Sequence, residues 1–286
     1  MFKKSMLYSI LTLACAGIIV LAFGFYQALL TSTLPSSLSP VAAAVAQPSQ
    51  EAPEAQPSSE GLLPQPAENS APSSKDPNSY KLLFLGDSLA KGTGDETGKG
   101  FSGDLSEALK NTTSKEIVVD NQAVDGLESA GLLEQLHSQR FVKNIADSDL
   151  IFISIGGNDV RKILSLNTLQ KEDAFKTRLD SYMNRLKLSL QELRKTNPKA
   201  TIVFLGLYNP YEKADTLDDV RLLNTWNYNS QQLVEADGKA IFIPTHDLVK
   251  YNLGKYIALD GMHPNSAGYQ ALSNRISQSV APIIQK

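Results

Sequence analysis

The sequence predicts an α/β domain built on a parallel sheet with helices on both faces, and three observations point there. Strand-like and helix-like runs alternate beyond residue 80. The first run, Lys81-Leu82-Leu83-Phe84-Leu85, is almost wholly apolar without alternation, as expected of a strand covered on both sides. Phe175, Leu179, Met183, Leu186, Leu190 and Leu193 recur at spacings of three and four, which marks one apolar face of a long helix.

Taken in order, strands are expected at 81–85, 116–121, 150–155, 201–207 and 240–243. Gly86 breaks the first run and leaves Ser88 at the carboxyl end of its strand, the edge where open α/β sheets bind ligands. Asn197-Pro198 ends the long helix, because the residue before proline is pushed out of helical conformation. Residues 266–285 read as a closing helix. No internal repeat is visible, and the pattern fits one domain over 80–286.

Composition narrows the function classes. The 286 residues carry a formal charge of −3, so no basic face for nucleic acid is implied. With Cys15 as the single cysteine, neither a disulfide framework nor a cysteine zinc site can form. No cofactor or metal is called for.

Lys3 and Lys4 precede a nearly uncharged run over 6–30. As a helix it would extend roughly 37 Å, enough to cross a hydrocarbon core of about 30 Å with some tilt. The lysines favour a cytoplasmic amino terminus and an exported remainder. Residues 1–30 are therefore read as an uncleaved membrane anchor. A cleavable signal peptide is the competitor, but its apolar region should be about 7 to 15 residues, and the small-residue site Ala44-Val45-Ala46 lies far beyond the run. Lipidation at Cys15 is the third possibility, since Leu13-Ala14-Cys15 partly resembles a lipobox. Thr12 stands where that motif has leucine. Residues 31–79 hold nine of the 14 prolines among Ser, Ala, Gln and Glu. Such a stretch buries too little apolar surface to offset its ordering entropy, and reads as a disordered tether spanning roughly 40 Å as a coil and about 150 Å extended.

Ser88 is a weak nucleophile until a base takes its proton. His137 falls in a helical stretch and reads as a surface or boundary residue; His246 follows the fifth strand and reads as a turn residue, with a base role as the lesser alternative. His263 is the stronger candidate because Asp260 stands three residues earlier: a carboxylate on one imidazole nitrogen holds the tautomer in which the other accepts a proton. Alone, Asp260-Gly261-Met262-His263-Pro264-Asn265 is equally ordinary turn chemistry before a helix. Two further loops leave strand ends at the same edge: Ala123-Val124-Asp125-Gly126 and Gly156-Gly157-Asn158-Asp159, each able to contribute a hydrogen-bond donor and each, by itself, an ordinary turn. Gly92, Gly94, Gly98 and Gly100 match neither a P-loop nor a dinucleotide fingerprint and read as loop flexibility near the site. Tyr208, Tyr211 and Met262 are candidates for lining a pocket, with the core as their ordinary alternative.

With these residues in view, the domain resembles the GDSL subgroup of the SGNH hydrolases. Gly86-Asp87-Ser88-Leu89 is similar to the nucleophile block, 121–126 to the glycine block, Gly156-Gly157-Asn158-Asp159 to the asparagine block, and Asp260-x-x-His263-Pro264 to the last, in family order. The resemblance implies a flavodoxin-like three-layer αβα sandwich and ester hydrolysis through an acyl-serine. It implies Ser88 as nucleophile, His263 as base and then acid, and Asp260 as its orienter. The oxyanion hole would come from the backbone N–H groups of Ser88 and Gly126 and the Asn158 side chain. Against the α/β-hydrolase alternative, Ala90 replaces the last glycine of Gly-x-Ser-x-Gly. A non-catalytic tethered module that binds polysaccharide or a protein partner is the other reading. Phospholipid, acetylated polysaccharide, thioester and small ester substrates all stay open, as does transfer to an acceptor other than water.

Overall fold

Five parallel strands form the sheet, ordered β2-β1-β3-β4-β5: β1 Ser79–Gly86, β2 Glu116–Asn121, β3 Leu150–Ser154, β4 Thr201–Leu205 and β5 Ala240–Ile243. The computed structural model describes residues 76–164, 168–211 and 217–284. The anchor and Cys15 readings, and the tether reading up to 75, fall on residues outside these. The tether ends earlier than expected, because Ser79 is buried as the first residue of β1 and the Asn78 carbonyl accepts from the Glu116 N–H. Among the described residues, no helix is long and apolar enough to cross a membrane.

The helices are α1 Ser88–Lys91, α2 Gly100–Lys110, α3 Ser129–His137, α4 Val142–Asp147, α5 Gly157–Leu164, α6 Thr168–Thr196, α7 Leu217–Glu235, α8 His246–Lys250, α9 Leu253–Tyr256 and α10 Ser266–Ile284. Period-two alternation sends their packing to opposite faces of the sheet. Leu83, Leu85, Ile151, Ile153, Ile202 and Phe204 join Phe175, Leu186, Leu190 and Leu193 of α6 and Trp226 of α7. Leu82, Phe84, Phe152, Val203 and Leu205 join Phe101 and Leu105 of α2 and Tyr269, Leu272 and Ile276 of α10. The result is the expected three-layer arrangement.

β4 ends at Leu205 rather than 207, because the Leu207 N–H and C=O leave the ladder and bond the Asn227 side chain of α7 instead (both 2.8 Å). Strand order reverses at β1: the chain goes to β2 on one side and returns to β3 on the other, which opens a crevice at the carboxyl ends. At the end of β1, Gly86 adopts φ 117, and a Cβ there would lie 1.9 Å from the Ser154 carbonyl oxygen. Only glycine lets β1 turn this close to β3 and deliver Ser88 to the crevice.

Candidate active site

Asp87 caps the short helix α1, its side chain accepting from the Leu89 N–H at 3.1 Å, so that Ser88 sits at the first helical position. Asp87 is itself buried and accepts a hydrogen bond from the Ser154 hydroxyl at the end of β3. Burial pushes its carboxyl up to about 6, in spite of those hydrogen bonds.

The loop after α9 carries the other two groups. An antiparallel bridge between Ile257 and Pro264 closes it, with the Ala258 N–H on the His263 carbonyl at 2.8 Å. Asp260 Oδ1 accepts from the backbone N–H groups of Met262 (2.9 Å) and His263 (3.0 Å), and Oδ2 lies 2.6 Å from His263 Nδ1. On the opposite side of the ring, His263 Nε2 is 2.8 Å from Ser88 Oγ. With Nδ1–H donated to Asp260, Nε2 presents its lone pair to the Ser88 hydroxyl. The His263 side chain keeps 12% of its surface exposed and Asp260 41%, so the imidazole is shielded while its partner faces solvent. Partial burial pulls the Asp260 carboxyl up, but hydrogen bonds from the His263 ring and the two amides outweigh this and hold it below the usual carboxylate range.

Asn158 lies in the first turn of α5, not in a free turn, and its Nδ2 donates to the Leu127 carbonyl at 3.0 Å. The Val124 N–H in turn bonds the Gly86 carbonyl at 2.8 Å, so the 121–127 loop is fastened to β1 on one side and to Asn158 on the other. Gly126 lies between those fastenings, exposed, with φ 74. Ser88, Asn158 and His263 line one recess of about 360 Å³; Gly126 stands outside that lining. Leu205, Leu207, Leu222, Leu223 and Val160 make the recess mainly apolar, and Tyr208, Tyr211 and Met262 line it as well. The Tyr208 hydroxyl donates to the Met262 carbonyl at 2.9 Å, and burial raises its pKa, so the phenol stays a donor beside His263.

The four glycines at 92–100 correct the expectation of flexibility. All take positive φ, and the loop is packed: a Cβ on Gly94 would lie 2.6 Å from His263 Cβ and 2.8 Å from the Pro264 carbonyl oxygen. The loop is also clipped to α10, since the Glu96 carboxylate accepts from the Ser266 N–H and hydroxyl. His137 lies on the surface 3.9 Å from Glu192, and His246 opens α8, with Nδ1 accepting from the Asn209 N–H at 3.4 Å. Among the described residues no cluster of His, Cys, Asp or Glu is gathered as for a metal ion.

Sequence reasoning assigned no role to Asp159 or Arg161. Asp159 is fully buried, accepts from the Ser129 N–H (2.9 Å) and hydroxyl (2.6 Å), and pairs with Arg185 of α6 at 3.2 Å, which ties the start of α5 to the start of α3. Arg161 follows Asn158 by three residues and so shares its helix face, the spacing that could have pointed to it.

Residues 84–271 match the model of the GDSL-like Lipase/Acylhydrolase family. The chain belongs to that family. As a GDSL-like lipase/acylhydrolase it is an enzyme, a serine hydrolase of ester bonds. It is 32% identical over 207 residues to the uncharacterized protein YpmR of Bacillus subtilis, covering 70% of this chain and 80% of that one. The spore germination lipase LipC of Bacillus licheniformis is 24% identical over 198 residues, covering 67% and 92%. Among solved structures, the lipase Lip_vut3 from a goat rumen metagenome superposes with a TM-score of 0.63 at 24% identity, over 70% of this chain and 97% of that one. The Clostridium thermocellum family 3 carbohydrate esterase gives 0.56 at 17%, over 72% and 98%. At these identities both structures speak to the shared fold.

Proposed function

We propose that the protein cleaves carboxylic esters through an acyl-enzyme on Ser88, with the acyl group seated in the apolar recess. The observation that carries this reading is the single imidazole of His263 spanning Ser88 Oγ (2.8 Å) and Asp260 Oδ2 (2.6 Å). Ser88 Oγ attacks the ester carbonyl carbon while His263 Nε2 takes its proton, and Asp260 stabilises the imidazolium. The carbonyl oxygen becomes an oxyanion facing the Ser88 and Gly126 N–H groups and the Asn158 amide. An amide suits position 158 because it donates without bringing a charge, and one such donor typically contributes about 10²- to 10³-fold in kcat. Collapse expels the alcohol with the proton from His263; water then repeats the attack and frees the acid and the serine.

We further propose that the enzyme works outside the cytoplasm, with residues 1–30 as anchor, 31–78 as tether and the catalytic body beginning at β1 with Ser79. The Lys3-Lys4 flank before the apolar run supports that orientation. The relatives include lipases and a carbohydrate esterase, which sets the range of esters to compare. The test is a panel of p-nitrophenyl esters graded by chain length, together with acetylated sugars, run on wild type and Ser88→Ala. Wild type should turn over at least one ester and Ser88→Ala should lose activity by about 10³-fold or more with an unchanged melting temperature. Equal rates in the two proteins would remove Ser88 from the mechanism.

A further inference from the structure

Among the described residues, Arg161 stands at the recess with no carboxylate paired to it. Arg178, Arg185, Arg194, Arg221 and Arg275 each lie 3.9 Å or less from a carboxylate oxygen, and Arg140, away from the recess, lies over the Phe141 ring. The hydrogen bond shown for Arg161 among the described residues runs from Nη1 to the Met262 sulfur, 3.6 Å away across the cleft. A thioether is a weak, uncharged acceptor: it steadies the guanidinium and leaves its charge and most of its five N–H donors available.

The fold fixes where that charge points. Arg161 lines the recess one turn beyond Asn158, and Met262 immediately precedes His263. Among the described residues, the carboxylates at or beside the recess have other partners. Asp260 is held by the His263 ring and two amides, Asp219 by Lys171 at 2.9 Å, and Asp87 by the Ser154 hydroxyl. The neighbouring Lys162 pairs with Glu128. Arg161 is exposed, and its guanidinium lies at the rim of the apolar recess beside Met262, the residue before His263.

We propose that Arg161 determines specificity by binding an anionic group on the alcohol side of the ester. If the acyl chain fills the apolar recess, the alcohol leaves past His263, at the rim where Met262 steadies Arg161. The substrate class is then an acyl ester with a phosphate or carboxylate a few bonds from the scissile carbonyl, either of which matches the guanidinium fork. This inference rests on Ser88 as nucleophile.

The test compares three decanoyl esters with the full-length protein: neutral 1-decanoylglycerol, 1-decanoylglycerol 3-phosphate, and O-decanoyl lactate, which carries a carboxylate. Wild type should favour at least one anionic ester over the neutral one in kcat/KM. In Arg161→Gln that ratio should fall about 10- to 100-fold, mainly through KM, and Arg161→Lys should keep part of it. Added salt should lower the wild-type ratio and leave the variant's unchanged. The anionic arm with the larger ratio separates a phosphate ligand from a carboxylate one. A ratio equal in wild type and Arg161→Gln, or a wild-type preference for the neutral ester, overturns the proposal while leaving Ser88 in place. Folded wild type that cleaves none of the three but turns over another ester of the chain-length panel overturns the proposal alone, and inactivity on every ester overturns both.

Discussion

Asp87 is the residue whose environment departs furthest from what its position in the chain suggests. It precedes Ser88, yet it is buried, and folding raises its carboxyl from 3.8 to about 6. The folded state therefore binds this proton more tightly than the unfolded chain. The contribution to stability is fully present below the unfolded value and is lost as pH rises through the folded one. Both hydrogen bonds to Asp87 fall on Oδ1, so Asp87→Asn keeps an acceptor for each and cannot ionise. Relative to wild type, that variant should gain roughly 3 kcal/mol between about pH 4 and pH 7. Paired denaturant titrations at the two pH values measure the difference directly, and a difference that stays flat with pH would show that Asp87 is not protonated on folding. Ser88, Asp260 and His263 were legible in the chain because each sits in a short local motif. The setting of Asp87 was not, because its hydrogen-bond partner Ser154 lies 67 residues away in the chain. Arg161 was hidden for the same reason: its significance depends on Met262, 101 residues on.

At the scale of elements, the strands were readable because burial on both faces writes a continuous apolar run, and the long helix because its stripe repeats at helical spacing. What the sequence obscured was the loop at 92–100, where many glycines signal either freedom or close approach. The structure shows close approach: the loop packs behind His263 and is bonded to the start of α10. Gly94→Ala would place a methyl against His263 Cβ and the rigid Pro264 carbonyl, at a φ of 93 that side chains rarely adopt. The expected result is a fall in kcat of about 10²-fold through displacement of the imidazole. The fold should survive at a cost of about 1 to 3 kcal/mol. Measuring kcat and the melting temperature together separates the two effects, and unchanged kcat would mean that the loop does not position His263.

For the whole molecule, the charge pattern and the apolar run at 1–30 were legible and lead to a cellular prediction. Full-length protein should pellet with membranes and resist alkaline carbonate extraction, while a chain beginning at residue 31 should stay in the supernatant. Protease added to intact cells should reach the catalytic body. Full-length protein in the soluble fraction would remove the anchor from the account, and protection from protease would overturn its orientation. The sheet itself sets a further condition. Ser88 leaves the first strand and His263 lies 175 residues later, just ahead of the closing helix. A chain still emerging from the ribosome thus holds its hydroxyl without this imidazole. On the proposed mechanism, hydrolysis is withheld until the last segment has docked on the sheet, so a half-made polypeptide is chemically silent.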